Sequence, residues 1–382
     1  MILRVSNQSK LVIVSICIIY AVSWLVPSCF ADTSVYHPMF RFYIADGEQA
    51  HQLYLSIPQS LYDYYYGKKH AEVDLIDFIT PGVFYSFANE LWTVCHDTTY
   101  ADESFVNAVL MIVHQLSYKP SAATYPVETL VEKSGDCDTL SFLAASILLA
   151  GGFDVVLLSY DNFQHMNIGV HLAQPPSQLT TEPIYHDYQG QRYYIAECTS
   201  QGTDVLSDWR VGESPQRFLQ DEVEVFSVDD WKFTAPGTIS SSLDVSPTGS
   251  TITIDLSPTK VKIQESVIIK GSISSASPIK QIVIYTSTTG YEWNTLTTVT
   301  ADSNGAYSYE WTPILHGICH VRASYLGDHQ IAAADSAIIT LRIASELNMN
   351  TILVIGYSLI AVLMMMVGLI ISEVIQTARV FL

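Results

Sequence analysis

The chain has 382 residues, of which 49% are hydrophobic and only 15% charged, and its 38 acidic against 18 basic residues give a net charge of −20. This length allows two domains of ordinary size, each with its own core. A surface this acidic excludes binding to nucleic acid, or to an anionic membrane, through the overall field of the protein.

Residues 1–31 are predicted to be an export signal. Arg4 and Lys10 supply a positive start, and residues 11–26 form an apolar stretch that Pro27 ends. Cys29 and Ala31 are small residues at the positions required for cleavage after Ala31. Sixteen apolar residues are short for a membrane-spanning helix, so we expect cleavage rather than a retained anchor.

Residues 32–100 are rich in aromatic side chains, with four tyrosines between positions 62 and 66. We predict mixed helix and loop for this region, packed on the core of the first domain. A helix is predicted after Asp102, because Phe105, Val109 and Ile112 recur on one face, and Pro120 lies beyond its end.

The sequence Gly135-Asp136-Cys137-Asp138 is predicted to form a turn that leads into a helix. Gly135 allows the turn, Asp136 is a good N-cap, and the apolar residues that follow repeat at helical spacing until Gly151. Cys137 then lies at the first helical position, where free N–H groups and the helix dipole favour a thiolate. The charges of Asp136 and Asp138 oppose this, so a nearby base is required.

Two downstream residues complete a nucleophilic arrangement with Cys137. His165 follows the apolar strand predicted at 153–160, and Glu197 ends a strand predicted at 192–197. A cysteine at a helix start, a histidine on a strand and an acid on the neighbouring strand are typical of a catalytic triad. His171 shares strand parity with His165 and is the alternative base. Asp187, in a loop predicted at 185–190, is the alternative acid.

These residues resemble the transglutaminase-like superfamily, and more closely its secreted prokaryotic branch of papain-like cysteine hydrolases. The resemblance covers roughly residues 105–218 and rests on the sequence at 125–130, the Gly-Asp-Cys-Asp motif, His165, Glu197 and the run at 209–213. It implies that Cys137 is the nucleophile, His165 the base and Glu197 the orienting acid. The chain departs from the family in having Glu197 where many relatives carry Asp, and Cys198 where Thr or Pro is usual.

Other residues near this triad are candidates for an oxyanion hole or a metal site. Gln115 or Tyr125 is a candidate to donate a side-chain hydrogen bond to an oxyanion hole, beside the N–H of Cys137. Asp136 and Asp138 resemble paired carboxylates that bind calcium in some relatives. Two acids are too few for a cation that takes six or more oxygens, so we predict helix capping, with no metal and no cofactor.

Four cysteines remain after the leader, namely Cys95, Cys137, Cys198 and Cys319. An oxidising exterior favours disulfides. Within the first domain, only a pair between Cys95 and Cys198 leaves Cys137 free. A disulfide between Cys137 and Cys198 is the alternative, and it would make the protein inactive.

The second half of the chain is predicted to be a β-sandwich. Residues 236–250 are polar and rich in Gly, Ser and Thr, which is typical of a linker. About seven short strands follow in residues 251–345, with a hairpin turn at Asn304-Gly305. The sequences at 305–313 and 325–328 resemble immunoglobulin-like repeats of prokaryotic surface proteins. We therefore expect a first domain at 32–235 and an immunoglobulin-like stalk.

Residues 352–371 contain twenty residues with no charge. At ~1.5 Å per residue they would extend ~30 Å as a helix, the thickness of a hydrocarbon core. The sequence therefore predicts a transmembrane helix at 352–371 and a cytoplasmic tail at 372–382.

The combined prediction is an α+β protein with a papain-like, transglutaminase-like core, an all-β immunoglobulin-like sandwich and one transmembrane helix. We expect it at the cell membrane, with a single span and an extracellular catalytic domain. The resemblance implies a cysteine peptidase or amidase that acts on an extracellular protein or peptide through a thioester. The alternatives are a protein cross-linking transglutaminase and a catalytically inactive binding module on the same fold.

Overall fold

The first half of the chain combines five α-helices with three small sheets. The computed structural model describes residues 35–44, 49–71, 73–179, 181–202, 208–228, 236–274, 280–345 and 364–365. Within these ranges the longer helices of this half are α1 Gln59–Tyr66, α2 Tyr85–Cys95, α3 Ala101–Val113, α4 Pro126–Glu132 and α5 Cys137–Ala150. Short 3-10 helices occupy Leu75–Phe78, Pro81–Val83, Asp161–Phe163 and Gln216–Gln220. The strands are β1 Val35–Tyr36, β2 Met39–Ile44, β3 Gln49–Pro58, β4 Ser117–Tyr118, β5 Ser134–Gly135, β6 Val155–Tyr160, β7 His165–His171, β8 Tyr185–Tyr188, β9 Gln191–Ala196 and β10 Val223–Ser227.

A five-stranded antiparallel sheet in the order β10-β6-β7-β9-β8 supports the helices of this half. Helix α5 packs on β7, and Leu143, Ile147 and Ile168 belong to one hydrophobic core. Gly169 lies in the middle of the sheet, where a Cβ atom would come within 2.9 Å of Tyr193 and of Val156. A side chain at this position would therefore push β7 away from its neighbours.

The prediction of helix and loop for 32–100 is wrong for residues 35–58, which form β1–β3. In β2 every second residue is buried, because Phe40, Phe42 and Ile44 face the core. Leu53, Leu55 and Ile57 alternate in the same way along β3. This period of two is the pattern of a half-buried strand, and the many aromatic residues obscured it.

The second half of the chain consists of strands. They are β11 Ser240–Leu243, β12 Thr251–Ile252, β13 Asp255–Ser257, β14 Lys260–Lys262, β15 Val267–Ser274, β16 Gln281–Ser287, β17 Asn294–Thr300, β18 Ala306–Trp311, β19 Gly317–Tyr325, β20 Ala334–Asp335 and β21 Ile339–Ala344. One sheet contains β12, β13, β15 and β18, and the other contains β14, β16, β17 and β19–β21. The two sheets share a core to which Ile269 and Val321 contribute. About seven strands were predicted for residues 251–345, and the structure has ten described strands there, β12–β21.

The two halves of the chain also make noncovalent contacts with each other. Strand β11, inside the predicted linker at 236–250, pairs with β3 of the first half. Arg322 of β19 is 2% exposed, and it donates to the Asp63 carboxylate at 2.7 Å and to the Ser60 carbonyl at 3.2 Å. Tyr285 of β16 belongs to the same hydrophobic core as α5. The core of the first half therefore extends onto the second.

The predicted fold class, an α+β core followed by an all-β sandwich and one transmembrane helix, is wrong. The chain is rich in β-structure, with 38% in strands and 24% in helices, distributed over several sheets. The helical pattern of α3 and α5 is the clearest in the chain, and it favoured a larger helical share than the structure has. Among the described residues, no helix combines the length and the apolarity needed to span a membrane. The segments 1–31 and 372–382 lie outside the described residues, as does 352–371 except for Met364 and Met365.

Candidate active site

Cys137 is the first residue of α5, and the structure confirms the predicted helix start. The Asp136 carboxylate caps the helix by accepting hydrogen bonds from the Thr139 N–H at 3.2 Å and from the Thr139 hydroxyl at 2.8 Å. Gly135 precedes the cap, and a Cβ atom there would meet the Thr139 side chain at 2.9 Å. The close turn therefore needs glycine. Cys137 itself is only 6% exposed.

The sulfur of Cys137 is held as a neutral thiol. It donates to Asp138 Oδ1 at 3.4 Å and lies 3.8 Å from the carbonyl oxygen of Gln164. Burial, followed by the negative charge of Asp138, raises the pKa of Cys137 to about 12. The helix terminus favours a thiolate, but burial and the neighbouring carboxylates outweigh it, in the direction predicted for Asp136 and Asp138.

His165 and Glu197 meet because their strands are paired. His165 begins β7, Glu197 directly follows β9, and the two strands run antiparallel with Ile168 opposite Ala196. His165 Nε2 lies 2.9 Å from Glu197 Oε2. A carboxylate oxygen accepts, so Nε2 is the donor and Nδ1 is left to accept a proton.

The first turn of α5 lies along the start of β7, on either side of His165. Cys137 Sγ contacts the carbonyl of Gln164, and the Ser141 hydroxyl, one turn later, donates to the carbonyl of Met166 at 3.2 Å. His165 also lies within electrostatic range of Asp138, the carboxylate that accepts from the thiol. These contacts place the first turn of α5 beside the segment that carries His165.

Glu197 is fully buried and is held from several sides. Its Oε1 accepts from the Thr199 N–H at 2.9 Å and from the Thr199 hydroxyl at 2.5 Å, and its Oε2 also accepts from Asn167 at 3.3 Å. Burial alone would raise the pKa of Glu197, but hydrogen bonds from His165 and Thr199 outweigh burial and lower it. The carboxylate is therefore ionised and can orient the imidazole.

Phe218 covers the imidazole and was not predicted as a site residue. Its ring stacks on His165 with 4.2 Å between centroids and 8° between planes, and the residue is 2% exposed. It lies in the 3-10 helix Gln216–Gln220. The stack fixes the plane of the imidazole, and no sequence pattern marks this contact.

Tyr118 is a second site residue that the sequence analysis missed. Its hydroxyl lies near the Cys137 side chain, although the residue is 57% exposed. Burial of the hydroxyl, followed by the nearby Cys137 and Asp136 side chains, raises the pKa of Tyr118, so it stays a donor. The two-residue strands β4 and β5 pair Tyr118 with Gly135. That pairing brings Tyr118 to the nucleophile, and strands so short carry no periodic signal.

The two predicted oxyanion donors bind elsewhere. The Gln115 amide donates to the carbonyls of Arg41 at 2.7 Å and Met111 at 2.8 Å, and its oxygen accepts from the Arg41 N–H at 3.0 Å. Gln115 therefore ties β2 to α3. Tyr125 is 2% exposed, and its hydroxyl donates to the carbonyl of Lys69 at 3.2 Å.

The alternative base and acid lie at a different part of the sheet. His171, at the far end of β7, contacts the Arg192 carbonyl at 2.9 Å through Nδ1. Asp187 lies in β8, not in a loop, and its side chain is 65% exposed beside Arg192 at 3.5 Å. Neither residue has a hydrogen bond or ion pair with the Cys137–His165–Glu197 group among the described contacts.

The remaining predicted features concern metal and disulfides. Among the described residues there is no group of three or more His, Cys, Asp or Glu that could hold a metal ion. Asp136 is occupied by capping, and its Oδ2 also accepts from the Ser121 N–H at 3.3 Å. All four described cysteines, Cys95, Cys137, Cys198 and Cys319, are free and buried. Neither of the two pairs considered from the sequence, Cys95 with Cys198 or Cys137 with Cys198, is formed.

Comparisons with known proteins give only remote likenesses. No family model matches the chain, and a search of curated proteins finds no significant match. The solved structures with some similarity include a red sea bream transglutaminase, with 10% identity and a TM-score of 0.25 over 80% of this chain and 62% of that one. A candidate cysteine protease from Cytophaga hutchinsonii has 11% identity and a TM-score of 0.21, with 56% of this chain and 86% of that one covered.

A chitin-binding domain from Burkholderia pseudomallei has 16% identity and a TM-score of 0.19 over 22% of this chain. This chain spans 56% of that domain's chain, little more than half. With TM-scores this low, none of these likenesses carries an argument about fold or function, and the site has to be interpreted from its own geometry.

Proposed function

We propose that this protein is a transglutaminase-like cysteine hydrolase that cleaves an amide bond of an extracellular peptide or protein through a thioester on Cys137. The observation that carries the proposal is the 2.9 Å contact between His165 Nε2 and the ionised, buried Glu197. It leaves Nδ1 to accept a proton, and Cys137, at a helix N-terminus, contacts the carbonyl of Gln164, the residue before His165. This arrangement is that of a nucleophile, a base and an orienting acid.

The reaction begins when Cys137 Sγ attacks the amide carbonyl carbon and His165 Nδ1 takes the thiol proton. The negative oxygen of the tetrahedral intermediate accepts hydrogen bonds from the Cys137 N–H and the Tyr118 hydroxyl. The carbon–nitrogen bond then breaks, and His165 returns the proton to the departing amine. Water attacks the thioester with His165 as base, which releases the carboxylic acid and restores the thiol.

The raised pKa of Cys137 means that the sulfur of the resting enzyme is a thiol rather than a thiolate. Proton transfer to His165 therefore accompanies the attack on substrate. Glu197 favours this step because its charge stabilises the imidazolium that forms. Hydrolysis is preferred over cross-linking, because water is the acceptor that is always present.

A catalytically inactive binding module is the second candidate, and the same raised pKa favours it. A thiol with a pKa of about 12 has almost no thiolate at neutral pH, and only the thiolate attacks. In an inactive module His165 would not assist Cys137. The two candidates therefore differ in whether the imidazole increases the reactivity of the sulfur.

Alkylation of the full chain separates the two candidates. Iodoacetamide should label Cys137, which mass mapping identifies, and His165→Ala should slow that labelling at pH 7 by about tenfold or more, because the proton acceptor is lost. Phe218→Leu is the matched control, since it removes the ring that stacks on His165 but leaves the imidazole. It should slow labelling less. Labelling of Cys137 that is equal in wild type and His165→Ala would refute the hydrolase and support the binding module.

A further inference from the structure

Three aliphatic side chains are exposed together at one end of the second half. Ile314 is 76% exposed, Leu315 67% and Ile318 50%. Ile314 and Leu315 lie in the turn between β18 and β19, and Ile318 is in the first part of β19. A single exposed aliphatic residue needs no explanation, but three within five positions form an apolar patch of the kind that marks an interaction site.

Basic side chains lie beside these residues on the outer face of the sheet. Arg342 of β21 is paired with Ile318 on one side and with Lys260 of β14 on the other. Val261 and Ile343 are buried, so the alternation along each strand turns Lys260, Arg342 and Ile318 outward as one row. We call Lys260, Ile314, Leu315, Ile318 and Arg342 the terminal patch.

The charge of the terminal patch is opposite to that of the whole chain. The ion pairs of the described residues do not include Lys260 or Arg342, while the nearby Lys262 has Glu265 at 4.0 Å. The chain as a whole has 38 acidic and 18 basic residues. At physiological ionic strength, charges more than ~8 Å apart are largely screened. The local excess of cations therefore decides what this surface attracts.

The chain leaves the described part of the second half at the terminal patch. Strand β21 ends at Ala344, directly after Ile343, which is paired with Gly317. The Ile263 N–H donates to the Ala344 carbonyl at 3.1 Å, so the end of β14 lies there as well. The sequence then continues from residue 346 and includes the uncharged residues 352–371. The uncharged run at 352–371 thus follows this exposed apolar and basic surface after six residues, 346–351, which include one acid, Glu346.

We propose that the terminal patch rests on the surface of a lipid bilayer with anionic headgroups. Ile314, Leu315 and Ile318 enter the boundary between headgroups and acyl chains, and Lys260 and Arg342 bind the phosphates. A second copy of this chain is a poorer occupant, because two such patches would bring like charges together on molecules of net charge −20. The proposal does not depend on the catalytic function of the first half.

Site-directed tryptophans in the full chain test the contact. Leu315→Trp reports from the terminal patch, and Asn304→Trp is the matched control, since it is exposed at the other end of β18. Vesicles with bromine-labelled phosphatidylglycerol should quench the new tryptophan at 315 and leave the one at 304 unchanged. The chain contains six native tryptophans, and their emission, measured on the unsubstituted chain under the same conditions, is subtracted from that of each variant. Equal quenching at 315 and 304, or none at 315, overturns the proposal.

A second measurement tests the role of the cations. Each cation near an anionic surface strengthens binding by about fivefold, so Lys260→Gln with Arg342→Gln should weaken binding to these vesicles by more than about tenfold. Lys270→Gln is the control, because Lys270 lies on the other sheet beside Asp255 at 3.7 Å. Binding that is unchanged by the double substitution overturns the proposal, because apolar sequence alone would then carry the contact. Light scattering tests for self-association. If the full chain is a dimer, and Ile314→Ser together with Leu315→Ser converts it to a monomer, the proposal is also overturned.

Discussion

Asp138→Asn should make Cys137 more reactive, because the Asp138 carboxylate holds the sulfur in its thiol form. Asp138 Oδ1 lies 3.4 Å from Cys137 Sγ, and its charge is the largest cause of the raised thiol pKa after burial. A charge at this distance shifts a pKa by about one unit or more. The substitution removes the charge and keeps the shape, so the pKa of Cys137 should fall by about one unit, and the thiolate fraction at pH 8 should rise about tenfold.

The rate of alkylation by iodoacetamide, followed by mass mapping between pH 7 and pH 10, measures this change. Asp136→Asn is the matched control. It removes a charge whose effect on Cys137 is weaker, and asparagine is an equally good N-cap. Labelling of Asp138→Asn should therefore be about tenfold faster than that of the wild type, and labelling of Asp136→Asn should change less. A rate that is unchanged or lower in Asp138→Asn would refute the electrostatic account of the thiol.

Three further predictions concern the residues around the site and between the two halves. Tyr118→Phe should lower kcat/KM for ester hydrolysis by about 100-fold, as expected for loss of one oxyanion donor, and an unchanged value would exclude that role. Because hydrogen bonds lower the pKa of Glu197, its charge contributes stability that is present above its unfolded pKa of about 4.3 and is lost as the pH falls through the lower folded value. Glu197→Gln should thus reduce the free energy of unfolding in urea more at pH 7 than at pH 3, and equal losses would contradict this. Arg322→Ala should lower the free energy of unfolding by about 3 kcal/mol or more, because it leaves Asp63 and Asp335 without their buried cation. If only the second half of the chain became less stable, the result would contradict a core shared by the two halves.

The sequence predicted the helix that begins at Cys137 well, because the signals for this helix are local. Gly135, the cap at Asp136 and the apolar repeat up to Gly151 all lie within one element, and the structure has α5 at Cys137–Ala150. The strands that carry His165 and Glu197 were also predicted, because their apolar runs are continuous. Each of these features depends on residues a few positions apart.

Features that depend on distant residues were not predicted. Tyr118 reaches Cys137 only because β4 pairs with β5, and Phe218 reaches His165 only through the fold. The pKa of Cys137 depends on how deeply the thiol is buried, which no sequence pattern states. The free Cys95 and Cys198 follow from positions in the core rather than from spacing.

The strands of the first half were missed for a different reason. In residues 35–58 the alternation of Phe40, Phe42 and Ile44 was present in the sequence, but aromatic residues also occupy positions that face solvent. The predicted linker contains β11 because short Ser-rich sequences form a strand when an edge is available, here the edge of β3. Tertiary context therefore decided both segments.

The most direct test of the central claim is to trap the acyl group on the enzyme. After the full chain is mixed with p-nitrophenyl acetate at pH 8 and quenched in acid, intact-mass and peptide mapping should find one acetyl group on Cys137. The group should be lost with time as water hydrolyses the thioester, and His165→Ala should acquire it far more slowly. Acetylation spread over lysines, no acetyl group on Cys137, or a disulfide between Cys137 and Cys198 would contradict the account.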